Sequence, residues 1–201
     1  ISNSGFINIF FKKKYLIRGL NNILYQKNDY GVVNFGENKK INIEYVSANP
    51  TGPIHIAHIR GAVLGDVLSS IFKKSGFNVI KEYYVNDAGS QIEILGNSLY
   101  IRYCQLLNIK VDLSNDEYPG EYLIELAREL ISKDSDKWIN QSVEKRKKYF
   151  KEYAVNSLIN NIKKDLSLIN INFDNFTFET DIVKNNLIDK LFILLKDKNL
   201  F

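Results

Sequence analysis

Residues 41–75 constrain the fold more than any other stretch: INIEYV, then SANPTGP, then a helical pattern opening at HIAH. Residues 41–46 alternate apolar and polar side chains and are β-branched, the period of a strand. Residues 47–53 carry two prolines and a glycine and read as a loop. From 55 to 75 the apolar positions recur at helical spacing, with Val63, Val67 and Ile71 in one row and Leu64, Leu68 and Phe72 in the next. Gly61 and Gly65 share a face of that helix. Glycine costs roughly 1 kcal/mol in a helix interior, so close approach of the helix to a sheet is the predicted reason for both. Gly76 ends the helix. A second strand at 77–85 and a turn at 86–89 follow, and Ser90 is placed to cap a helix running to about Leu107. Strand, helix, strand, helix with short links predicts an α/β fold built on a Rossmann-like parallel sheet.

The flanks read less sharply. Residues 6–11 form a short apolar run expected as a strand, 12–26 a helix, and 28–40 a polar connector. Beyond Asn108 the pattern turns helical, with helices predicted at 120–132, where Pro119 sits near the first position, and at 142–169. A strand at 173–178 and one helix at 183–198, aligned on Leu187, Leu191 and Leu195, complete the reading. Residues 108–168 are thus expected as a mostly helical insertion into the sheet domain. The composition, 45% hydrophobic and 25% charged, allows a buried core. No run approaches the roughly 18–20 apolar residues of a membrane span, and no secretory signal is visible. The single Cys104 excludes an internal disulfide and a multi-cysteine zinc site, so a cytoplasmic setting is expected. A net charge of +4 permits RNA contact without arguing for it. The chain contains no methionine, which suggests a piece of a longer protein.

The chemistry concentrates at Glu44 to Arg60. Both histidines of the chain, His55 and His58, lie here three residues apart, so on a helix they share a face. A helix start offers unpaired N–H groups and a partial positive charge, a favourable place for phosphate oxygens. Two imidazoles beside it can donate hydrogen bonds to a phosphate gaining charge in a transition state. Pro50 and Pro53 stiffen the preceding loop, and Gly52 allows close approach of a ligand. The loop also falls where α/β sheets bind ligands, outside the carboxyl ends of strands. The alternatives are an exposed or structural histidine pair, or a metal pair completed by Glu44 or Asp66. No spacing marks the metal reading, and no metal site is expected.

At this point the motifs carry a resemblance. SANPTGPIHIAH at 47–58 resembles the first signature of class I aminoacyl-tRNA synthetases, and its lead-in resembles bacterial-type arginyl-tRNA synthetases. RGAV with Gly65-Asp66, EYYVNDAG at 82–89 with Gln91-Ile92, and YPGEY at 118–122 extend the likeness over nearly the whole chain. The resemblance implies activation of arginine with ATP, accompanied by Mg²⁺, and transfer to tRNA, with no tightly bound cofactor and a monomeric full-length protein. It implies that His55 and His58 steady the phosphates and that Pro53 and Ala57 line the ATP site. Glu44, Ser47 and Asn49 match positions that contact arginine. Asp87 and Gln91 are candidate pocket-lining residues. Ala57 replaces a glycine usual in the family and adds a methyl where adenine lies. By the same likeness, 1–36 is the end of an N-terminal additional domain with its linker, and 37–201 an incomplete catalytic domain. The lysine-containing loop and the anticodon-binding domain are not among these residues, so the chain alone is expected not to charge tRNA. Two competing readings remain: another nucleotidylyltransferase of the same superfamily, or a non-catalytic remnant binding RNA through the basic run at 144–148. Such a run is more often a solvated face.

Overall fold

The computed structural model describes residues 5–200; Ile1 to Ser4 and Phe201, at the outer ends of the two expected domains, lie outside the described residues. Three strands form one parallel sheet in the order β1-β2-β3: β1 (Lys40–Glu44), β2 (Asn78–Val85) and β3 (Asn175–Phe178). Ile41 lies opposite Val79 and Glu44 opposite Glu82; on the other side Glu82 lies opposite Asn175 and Val85 opposite Phe178. Helix α2 (Ile56–Lys74) makes the first crossover. The second is long and carries α3 (Ser90–Leu106), α4 (Glu121–Asp134) and α5 (Val143–Leu168). Helix α1 (Lys13–Gln26) precedes the sheet, and α6 (Glu179–Lys184) and α7 (Leu187–Asp197) follow it. Among the described residues no helix is long and apolar enough to cross a membrane.

The core lies where α3 packs between α4 and α5 and against Tyr83 and Val85 of β2. Phe150, Ala154, Leu158, Ile162 and Leu166 of α5 are buried at the predicted helical spacing. Ser142 caps that helix, its hydroxyl accepting from the Lys145 N–H. Each fully buried leucine here, such as Leu99, Leu123 or Leu158, contributes about 1.5–3 kcal/mol of transfer free energy.

Helix α2 meets the sheet through its small face. Ala62, Gly65 and Ser69 are its buried residues, while Val63, Leu64, Val67, Leu68 and Ile71 face outward. A Cβ on Gly65 would fall inside the Tyr45 ring, whereas one on Gly61 would meet open space. The close-approach reading therefore holds for Gly65 and not for Gly61. Gly65→Ala is expected to lower stability by about 1–3 kcal/mol. Gly61→Ala is expected to be neutral or to raise it by up to about 1 kcal/mol. Urea-denaturation midpoints of the two variants check this, and equal midpoints would contradict the packing of α2 on Tyr45.

Several boundaries differ from expectation. Residues 6–11 form no strand; their aromatic and aliphatic side chains are exposed, so no second strand rewards extension there. The first strand ends at Glu44 instead of 46, because Val46 and Ser47 leave extended geometry. Gly89, at φ 86°, is the residue that caps α3, and Ser90 is its first helical residue. Gly120 caps α4, leaving Pro119 one position outside. The helix expected at 183–198 is two helices, broken where Asn186 takes a left-handed conformation at φ 52°.

Candidate functional site

The loop after β1 is strained and then fastened. Val46 and Ser47 take successive positive φ values of 66° and 39°, costly for a β-branched valine. Ser47 Oγ accepts from the Tyr84 N–H at 3.0 Å and donates to Glu44 Oε1 at 2.8 Å. The buried Tyr83 hydroxyl donates to the Ala48 carbonyl at 2.8 Å, and Tyr122 of α4 donates to the Thr51 carbonyl at 2.5 Å. Two strands and a helix thereby set the path of the loop into α2. Asn49 Nδ2 donates to Gln91 Oε1 at 3.1 Å, joining the loop to the first turn of α3.

His55 caps α2 in an extended conformation, with φ −131°. Its N–H donates to His58 Nδ1 at 3.3 Å, and the two rings stack with centroids 3.9 Å apart and planes 28° from parallel. Both imidazoles thus project together from the opening turn. Because His58 Nδ1 accepts a hydrogen bond, the neutral ring carries its proton on Nε2 and keeps that N–H as a donor. Partial burial and then the neighbouring His55 hold the His58 pKa below its ordinary 6.5. Ile56 and Ala57, in the first turn, have N–H groups with no intrahelical partner, which suits phosphate oxygens. Pro53, His55 and Ala57 are exposed.

A second feature was not foreseen. Glu44 ends β1 and Glu179 directly follows β3, while Tyr84 stands near the end of β2. Desolvation and then the Glu179, Asp87 and Glu44 carboxylates push the Tyr84 phenol above its ordinary pKa, so three acidic groups share this edge of the sheet. A cavity of about 340 Å³ opens beside it, lined by Asn86, Ala88, Gly89, Ser90, Gln91, Ile92 and Glu179. Glu179 could have been found by applying the strand-end rule to the third strand as well as to the first two.

Of the expected residues, Glu44 and Ser47 are hydrogen-bonded to each other, Asn49 and Gln91 likewise, and His55 and His58 are stacked. Gln91 lines the cavity; the histidines stand outside it, His55 exposed and His58 half-buried. Asp87 serves as a tie between elements. Both its oxygens are taken by the Thr180 N–H at 2.9 Å and the Thr180 hydroxyl at 2.5 Å, so it ties the end of β2 to the start of α6. Among the described residues no three His, Cys, Asp or Glu side chains gather as a metal-ligand set.

Comparison with known proteins follows the same line. A family model described as tRNA synthetases class I (R), catalytic domain, matches residues 19–201. The arginine–tRNA ligase of Oceanobacillus iheyensis is 40% identical over 197 residues, covering 98% of this chain and 35% of the relative. That of Wolbachia sp. subsp. Brugia malayi is 42% identical over 201 residues, again covering 35% of the relative. A Campylobacter jejuni structure to which arginyl-tRNA synthetase identity has been ascribed superposes with a TM-score of 0.77 at 34% identity, over 90% of this chain and 40% of that one. The chain thus spans little more than a third of the length of the curated relatives it matches.

Proposed function

The chain belongs to the catalytic-domain family of the class I tRNA synthetases for arginine, and from that premise we propose that it supplies the ATP-phosphate half and part of the arginine pocket of an arginine–tRNA ligase. The single observation that carries this is the stacked His55–His58 pair at the start of α2, beside first-turn N–H groups that have no intrahelical partner. In the proposed reaction the arginine carboxylate attacks the α-phosphorus of ATP, and the bond to the pyrophosphate oxygen breaks. Charge builds on the phosphate oxygens as it does so. Preorganised donors at a helix N-terminus stabilise that charge without reorganising. Mg²⁺ arrives on the nucleotide and neutralises part of the triphosphate charge. The acidic edge formed by Glu44 and Glu179, with Tyr84 between, suits a guanidinium, which is always charged and matches carboxylates in fork geometry. Asn49, whose side chain is paired to Gln91, would help to orient arginine.

Within the same reading, residues 1–36 belong to the end of an N-terminal domain and 108–168 to an insertion, and the ligase works as a cytoplasmic monomer. ATP-dependent charging of tRNA with radiolabelled arginine tests the assignment. A protein of the relatives' length carrying this chain is expected to charge arginine and not lysine. The 201 residues alone are expected to give no charging above background. Absence of arginine-dependent charging by the longer protein favours nucleotidyl transfer to another acceptor, and turnover by the short chain would refute the need for a second half-site.

A further inference from the structure

The start of α5 carries a groove that the proposed catalysis does not use. Its floor is aromatic. Trp138 and Tyr149 stack with ring centroids 3.8 Å apart and planes 18° from parallel, and Phe150 backs them edge-on. Asp134 fixes both rings from behind, accepting from Trp138 Nε1 at 2.7 Å and from the Tyr149 hydroxyl at 2.7 Å. The rim is cationic. Lys145 and Lys148 rise from successive turns of α5, and Lys137 lies over the Trp138 ring at 5.1 Å. Together with Glu152 these side chains enclose about 280 Å³.

The three lysines form no ion pair with any described residue, unlike Lys151, which meets Glu93 at 2.6 Å. Asp134, half-buried behind the groove, is committed to the two rings, and Glu152, which lines the groove, makes no ion pair with the lysines. Arg146 turns to the opposite flank of α5, with its Nη1 donating to the Tyr100 hydroxyl at 2.8 Å and its guanidinium 4.4 Å from that ring. An ordinary solvated charge run pairs with acids or waves free. Here unpaired cations stand at the edge of a locked aromatic plate. That arrangement suits a polyanion whose backbone meets the lysines while a ribose or base displaces Lys137 from the Trp138 ring.

We propose that this groove binds the phosphate backbone of tRNA, an assignment that rests on the ligase reading above. Helix α5 runs antiparallel to α3, since Lys151 meets Glu93, Arg146 meets Tyr100 and Trp138 meets Tyr103. The groove is therefore some 13 residues along α3 from Gly89, a distance of about 20 Å at 1.5 Å per residue. It anchors the RNA at a point removed from the histidines and does not touch the reacting atoms.

Trp138 is the single tryptophan of the chain, so tryptophan fluorescence, excited selectively over the tyrosines, reports on this site alone. The experiment titrates the 201-residue chain with unfractionated bacterial tRNA at salt concentrations from about 50 to 200 mM, a range over which phosphate contacts are strongly screened. Quenching of Trp138 is expected. In the double variant Lys145→Gln, Lys148→Gln, affinity should fall about tenfold, and the slope of log K against log salt should flatten by about 2. The control pair Lys196→Gln, Lys198→Gln at the C-terminal end of α7 should bind tRNA as the parent chain does. Absence of quenching overturns the proposal, as does equal weakening by the control pair. Polyglutamate binding as tightly as tRNA overturns it too, since the groove would then accept any acidic polymer. Failure of the underlying reading looks different: tRNA binding would persist with arginine charging absent from the longer protein. If charging occurs and the lysine variants leave tRNA affinity unchanged, the groove assignment alone falls.

Discussion

Replacing His58 by alanine is expected to slow arginine charging about 100- to 1000-fold in a protein of the relatives' length, the loss typical of one preorganised donor to a charge-gathering oxygen. The loss should appear in kcat and in kcat/KM alike, because the donor acts on charge that exists only in the transition state. The ATP-binding step, which His58 serves less, should change within a few fold. Stability should fall by no more than about 1 kcal/mol, since the ring sits near the surface and gives up only its capping contact with the His55 N–H and the stacked His55 ring. His55→Ala should act in the same direction. The double variant should cost less than the product of the two, because both rings serve one charge. The pH dependence has a definite sign. The His58 pKa lies below 6.5, held there by desolvation and by His55. The neutral ring, which accepts the His55 N–H at Nδ1, therefore persists through neutral pH. Acid protonates Nδ1, removes that acceptor and releases the ring, so the rate should fall on a limb with an apparent pKa below 6.5. His58→Ala should abolish the limb. Folding stability follows the same window: the contribution of this group is intact above 6.5 and declines as pH drops from 6.5 to the folded-state pKa, because the unfolded chain takes up the proton first. A rate unchanged in His58→Ala would remove the phosphate-donor role.

The parts of this molecule that local chemistry dictates were legible in residue order. The period-2 run at 41–46, the two prolines and the histidine spacing place a strand, a loop and a helix start that the structure reproduces, the strand ending two residues early and His55 and His58 on one side. The core of α5 was legible for the same reason: one apolar stripe at one period. What sequence order could not show depends on long-range partners. The apolar run at 6–11 has strand-like composition, but no described strand pairs with it, and composition without a partner leaves exposed coil. Gly61 and Gly65 look alike in sequence; only the position of the Tyr45 ring separates them. Asp87 sits in the turn after β2, and only the fold shows that Thr180, 93 residues later, donates to both of its oxygens. Glu179 was missed because its neighbourhood is assembled from three strand ends, and β3 is only four residues long.

The acidic edge is the feature whose removal separates substrate recognition from phosphate chemistry. Glu44→Gln is expected to lower kcat/KM for arginine roughly 100-fold, about 3 kcal/mol, by leaving a guanidinium without one of its charged partners. Most of the loss should lie in KM for arginine, with kcat and the KM for ATP little changed, because a guanidinium far from the reacting carboxylate is held equally in ground and transition states. The substitution is clean in this structure. Glutamine keeps an oxygen at Oε1 for the Ser47 hydroxyl, which donates there at 2.8 Å while holding the Tyr84 N–H. The strained turn at Val46 and Ser47 is thereby preserved, and thermal stability should stay within about 0.5 kcal/mol of the parent. Glu179→Gln tests the second carboxylate and should raise KM for arginine in the same direction. A double variant close to the sum of the two in free energy would mean the carboxylates act separately, whereas coupling above about 0.5 kcal/mol would show one guanidinium bridging both. Discrimination against lysine should narrow together with arginine affinity, since an ammonium is a point charge that gains less from paired carboxylates than a planar fork does. An arginine KM that stays at the parent value in both single variants would move the guanidinium site away from this edge of the sheet and leave the histidine pair as the only assigned function of these residues.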